Sequence, residues 1–197
     1  MKFTTKIPIG TTELLEDPTA LIKNIDKLHV WALLFGIVIV APGGIMFWKI
    51  IATNKDLIYV MDYPPEKFLP MLLVLMLFHE ICHALAFPGF GLNDRSAMGF
   101  DRKSGLAFVS YSGVVSRRRY SVILLMPFLI ITLIPYLLWI GGIEIKWAPG
   151  VSILNAIGSS GDIVILYILT KKEREKKYIQ SNHIGLLKKT APIIVNQ

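Results

Sequence analysis

Apolar residues fall into four long runs along the chain, and polar residues collect between them. The runs cover residues 30–51, 68–91, 120–143 and 147–170. Each approaches the ~20 residues that a helix needs to cross a bilayer. The one long connection, 92–119, contains SGLAFVSYSGVVS, rich in β-branched and aromatic residues and punctuated by Gly105 and Gly113. That composition predicts a short strand pair. The expected fold class is an all-α membrane protein: four transmembrane helices with a short β-hairpin-like cytoplasmic connection between helices 2 and 3.

The first run starts too far into the chain, and is too long, for the usual cleavable signal, so it reads as a retained span. Ahead of it, Asp17-Pro18 resembles a helix cap followed by proline at the first helical position. Leu21, Ile25 and Leu28 then recur at helical spacing, which predicts a short amphipathic helix on the cytoplasmic surface. Three parts result: an N-terminal segment 1–29, a four-span domain 30–170 and a basic tail 171–197.

Composition supports the membrane reading. Of the 197 residues, 53% are hydrophobic, and the mean hydropathy is +0.55. An ordinary soluble domain is less apolar. The net charge of +7 on its own suggests nucleic acid. The basic residues instead lie between apolar runs, which excludes that partner and sets an orientation. With both ends inside, seventeen basic residues face the cytoplasm: four in 1–29, six in 92–119 and seven in 171–197. Only Lys55, Lys67 and Lys146 lie in the outer connections. Trp48, Trp139 and Trp147 fall near span ends, where interfacial aromatics belong. Arg117, Arg118 and Arg119 read as an anchor at anionic headgroups. Pro127 and Pro135 should kink the third helix. One cysteine, Cys82, excludes an intrachain disulfide framework.

Within the four runs, the deeply placed ionisable residues are His79, Glu80, His83 and Asp162. A charge at mid-membrane costs at least about 2.5–3.5 kcal/mol, so such residues mark a function by default. His79 and His83 are one helical turn apart and can point at one atom. Glu80 lies about 100° around from His79. This is the HExxH arrangement, in which two imidazoles bind zinc and the glutamate is general base.

A catalytic zinc commonly takes three protein ligands. Asp162 is the candidate third ligand, because it and His83 both lie about 12 Å from the inner ends of their runs. It follows GSSG, residues 158–161, whose small side chains allow helices to approach closely. Asn155 precedes Asp162 by seven residues and shares nearly the same face. It either binds substrate near the metal or fixes interhelical packing. Cys82 points away from His83 and reads as a small buried residue. His29 and His183 lie outside the runs and are poor ligand candidates.

The HExxH run and the later N-x6-D resemble the site-2 protease group of intramembrane zinc proteases. The neighbourhood of the aspartate there is NPxPxxxDG-like; here it reads NAIGSSGD. The closer resemblance is to a small bacterial membrane family of zincin peptidases, a domain of unknown function. It shares HExxH, RRRYSVILLMPF-type sequence and a GGD-like motif, here SGD, over roughly residues 70–185. The resemblance implies a zinc-dependent, membrane-embedded peptidase with one Zn²⁺. Its metal ligands would be His79, His83 and Asp162, with Glu80 catalytic and Asn155 binding substrate. The partners are the lipid bilayer and a peptide or membrane-protein substrate, which could add to the strand around Phe108–Tyr111. A non-catalytic metal-binding protein and a proton or metal carrier are the alternatives.

Overall fold

The computed structural model describes residues 1–5, 18–20, 25–60, 62, 64–101, 106–172, 178–181 and 185–187. The chain divides into two compact units. One comprises Asp26–Cys82 and Leu125–Val164; the other comprises Met1–Ile25, His83–Leu124 and Ile165–Gln197.

The first of these units is helical. Helix α1 (Ile25–Phe35) runs through a π-helical turn (Gly36–Val40) into α2 (Ala41–Trp48). A second π turn (Phe128–Leu133) joins α5 (Arg117–Pro127) to α6 (Ile134–Ile140). Both π turns precede a proline, Pro42 and Pro135. A proline ring clashes with the carbonyl four residues back, and widening the helix by one residue relieves the clash. Pro135 therefore acts through a π turn.

A short helix α3 (Asn54–Ile58) follows a Thr53–Asp56 capping box. Helix α4 spans Pro65–Ala86, α7 Ala148–Gly158 and α8 Ser160–Lys172. Among the described residues, three helices are long and apolar enough to cross a membrane: Val30–Trp48, Pro65–Ala86 and Arg117–Ile140. The pair α7 and α8 is bent by 48° and makes a fourth if it counts as one broken span. Helix α1–α2 exposes Val30, Trp31, Leu33, Ile37, Val38 and Ile39. A surface of that composition suits lipid better than water.

Two of the three tryptophans expected at the interface are core residues instead. Trp48 and Trp139 are buried and meet edge to face with ring centroids 5.5 Å apart. Tyr136 packs on Trp48, and Trp139 Nε1 donates to the Ile51 carbonyl. Trp147 stays exposed. The rings at these helix ends fill the space against Leu57, Ala148 and Ile153.

The close approach expected of GSSG comes from another glycine. A Cβ on Gly158 or Gly161 would meet nothing within 4 Å, whereas one on Gly36 would collide with the Ser160 hydroxyl and lie 3.0 Å from the Ile157 carbonyl. Ser159 and Ser160 are fully buried. The Ser160 hydroxyl bonds back to the Ile157 carbonyl, a contact that bends helices. The bend between α7 and α8 lies there.

The second unit contains a six-stranded sheet, so the expectation of an all-α fold with one hairpin is corrected. Strands β3 (Ser96–Asp101) and β4 (Leu106–Ser116) form the anticipated hairpin. Around it lie β1 (Lys2–Thr4), β2 (Pro18–Ala20), β5 (Tyr178–Ser181) and β6 (Gly185–Leu187), in the order β1-β3-β4-β5-β6-β2. The helix expected to start at Asp17-Pro18 gives way here, because Pro18–Ala20 pairs antiparallel with Gly185–Leu187 and helix begins only at Ile25. Residues 21–24 lie outside the described residues, as does His183. The basic tail likewise supplies two strands.

β1 runs parallel to β3, with Thr4 opposite Gly99. The Thr4 carbonyl comes so close to Gly99 that no Cβ fits there. One flank of Phe108–Tyr111, proposed above for substrate addition, is already paired with Ser96–Gly99.

Helix α4 ends at Ala86, five residues before the apolar run does. Pro88 and a left-handed turn at Gly89, Phe90 and Gly91, with φ of 63, 53 and 71°, reverse the chain. Arg119 donates to the Ala86 and Phe87 carbonyls at 3.0 Å each. Arg117 donates to the Leu169 carbonyl. Cations suit the carbonyl-rich ends of helices. Two of the three arginines read as a lipid anchor thus hold helix ends.

Candidate metal centre

His79, Glu80 and His83 all come from α4. The segment is helical because Leu, Met, Ala and Glu dominate it and its proline, Pro70, lies in the second turn. A continuous helix places residues three and four apart on one face. One ligand atom from each of His79, Glu80 and His83 lies within 4.8 Å of the others. Among the described residues this is one group able to hold a metal ion.

Asp162 joins His79. It stands in the first turn of α8, where the helix dipole favours a carboxylate. Its Oδ2 is 3.3 Å from His79 Nε2. The other side of the same ring belongs to Asn155, whose Oδ1 is 3.0 Å from His79 Nδ1. Residues 155 and 162 reach one imidazole from either side of the bend at Ser159.

Hydrogen-bond chemistry settles the protons. Asn155 is 2% exposed, and its Nδ2 donates to the Pro127 carbonyl at 3.1 Å and to Thr132 Oγ1 at 3.0 Å. A carbonyl only accepts, so the amide nitrogen must face Pro127 and Oδ1 must face His79. Oδ1 also only accepts, so His79 carries its proton on Nδ1. His83 repeats the arrangement, with Nδ1 donating to the Ile123 carbonyl at 2.7 Å. In the neutral form each ring then leaves Nε2 as its lone-pair nitrogen.

At His79 that lone pair faces a carboxylate oxygen. Two acceptors at 3.3 Å repel unless a cation or a second ring proton lies between them. Two ligand atoms of a tetrahedral zinc, with bonds of about 2.0–2.2 Å, lie about 3.4 Å apart. A donor set of two imidazoles and a carboxylate, with both imidazoles oriented through Nδ1, fits zinc; the group whose atoms lie within 4.8 Å of one another is His79, Glu80 and His83, and Asp162 is placed against His79.

Several partners of these residues were invisible in the motif. Thr132 and the Pro127 carbonyl orient Asn155, and the Ile123 carbonyl orients His83. A signal for Ile123 did exist, because it lies four residues before Pro127 and so loses its usual helical partner. Cys82 is fully buried, in keeping with its reading as a packing residue.

No curated protein and no solved structure matches this chain. A family model described as "Putative zincin peptidase" matches residues 72–176, more than half of the chain. The match takes in the HExxH turn, Asn155 and Asp162. A zincin is a zinc peptidase, so the match suggests a metallopeptidase and implies zinc as its metal, in agreement with the donor set. The chain belongs to this family.

Proposed function

We propose that the protein is a zinc-dependent peptidase working within the membrane, cleaving peptide bonds of membrane or membrane-proximal substrates. The observation that carries this reading is the 3.3 Å approach of His79 Nε2 to Asp162 Oδ2 beside a helix-borne HExxH turn. His79, His83 and Asp162 would hold the ion. The chemistry that zinc supplies when bound is polarisation of a carbonyl and a water pKa lowered toward ~7.

The chain's own residues do the rest. Glu80 accepts the proton of the attacking water and passes it to the leaving amine, the work of a general base turned general acid. Asn155 serves His79 in place of the substrate, since both ends of its amide are engaged by protein groups. The excess of Lys and Arg in 1–29, 92–119 and 171–197 supports a multi-pass arrangement with both termini cytoplasmic.

The test is Glu80→Gln in the purified full chain in detergent. The variant should keep its zinc, measured by elemental analysis, and lose cleavage of a quenched fluorogenic peptide mixture. Undiminished cleavage would remove Glu80 from the mechanism. A native chain that takes up no zinc would instead leave the His79–Asp162 contact an ion pair.

A further inference from the structure

Helix α5 ends on Pro127, and α6, which follows the π turn, carries Pro135. A proline has no N–H, so the carbonyl four residues earlier loses the donor an α-helix would supply. For Pro135 that carbonyl belongs to Ile131, and for Pro127 to Ile123. In each case a side chain from elsewhere takes the position. Ser152 Oγ donates to the Ile131 carbonyl at 3.2 Å, and His83 Nδ1 donates to the Ile123 carbonyl at 2.7 Å. The second bond is at the short end of the N–H···O range. Its two residues are 8% and 4% exposed, so water competes little for it.

Pro127 also acts through its own carbonyl. That oxygen accepts from Asn155 Nδ2, and Asn155 Oδ1 accepts from His79 Nδ1. One fully buried proline therefore bears on both imidazoles: its missing N–H frees the acceptor of His83, and its C=O anchors the holder of His79.

We propose that Pro127 is a positioning residue for the metal centre, freeing the Ile123 carbonyl so that His83 is held as the Nδ1–H tautomer with Nε2 available to a divalent cation. This rests on the zinc reading above. A residue with an N–H at 127 adds a second donor to the same oxygen. The bond to His83 then weakens, and the ring gains access to the Nε2–H tautomer, which cannot ligate through Nε2. At Pro135 the same device serves packing alone, which makes that residue the control.

The experiment uses the full chain in detergent with three replacements: Pro127→Ala, Pro135→Ala, and residue 127 as the α-hydroxy analogue of alanine, which again lacks the N–H. Zinc affinity is measured against a chromophoric chelator. The His83 tautomer is read from ¹⁵N shifts of labelled histidine, assigned by difference with His83→Gln. Pro127→Ala should lose about tenfold in affinity, within the range for partners that orient a ligand, and its two His83 nitrogen shifts should converge. The α-hydroxy form and Pro135→Ala should match the native chain in both.

The proposal falls if folded Pro127→Ala keeps native affinity and tautomer, or if the α-hydroxy form loses as much as Pro127→Ala. Should Pro127→Ala not fold, the α-hydroxy form decides alone: native affinity supports the proposal and a tenfold loss overturns it. A native chain without zinc affinity defeats the peptidase reading instead, and the tautomer comparison still judges Pro127.

Discussion

The surroundings of His79 and of His83 differ in kind, although the two rings sit one turn apart on the same helix. His79 is held by side chains, the Asn155 amide at Nδ1 and the Asp162 carboxylate at Nε2. His83 is held by main chain, the Ile123 carbonyl. Side-chain holders can be removed by one substitution. A backbone carbonyl cannot, and is controlled only by what competes for it. One ligand is therefore exposed to mutation at its holder, and the other is guarded against everything except a new donor.

The largest effect should come from Asp162→Ala, which removes a proposed ligand outright. Zinc affinity should fall by more than the roughly 10–100-fold typical of losing an orienting partner, with helix content by circular dichroism unchanged. Affinity near native would remove Asp162 from the ligand set and break the comparison at its first member.

Next is Asn155→Ala, which frees His79 to change tautomer while leaving all ligands in place. A loss of about 10–100-fold in a chelator competition is expected. Asn155→Asp, which keeps an acceptor oxygen near Nδ1 but no donor for the Pro127 carbonyl, should recover part of that loss. Equal losses in the two variants would assign Asn155 to packing alone.

The smallest effect should be at Ile123. Ile123→Val trims a buried methylene and should cost about 0.5–1.5 kcal/mol in a denaturant titration. Zinc affinity should not move, because the carbonyl that holds His83 remains. A parallel drop in affinity would mean that the isoleucine side chain, and not its backbone, orients the ring.

Much of the metal centre was readable from spacing. Histidines four apart in an apolar run converge because a helix converts sequence distance into direction. Depth in the fourth run singles out Asp162 beside His83, and its carboxylate meets His79. GSSG is the segment of close approach, but through its serines. Its serines are buried, its glycines face open space, and the close approach belongs to Gly36, more than a hundred residues away. Glycine in a sequence marks permission for contact, and only a partner helix turns permission into contact.

The sheet was half visible. The β3–β4 hairpin has a long, β-branched second strand and a local partner. The other four strands are three or four residues long. Segments that short carry no period of their own. They pair across large separations, as Pro18–Ala20 does with Gly185–Leu187.

By itself, the sequence determined the apolar helices, the HExxH face and the presence of a carboxylate in the fourth apolar run. These follow from composition and helical period, which are local properties. Only the tertiary structure decided which groups orient each imidazole, where the fourth apolar run bends, that two of three tryptophans enter the core, and that two of three arginines hold helix ends. Those outcomes depend on donors and acceptors from distant segments meeting within hydrogen-bonding range. No local pattern encodes such a meeting, even where a proline announces that a carbonyl has been left for someone else.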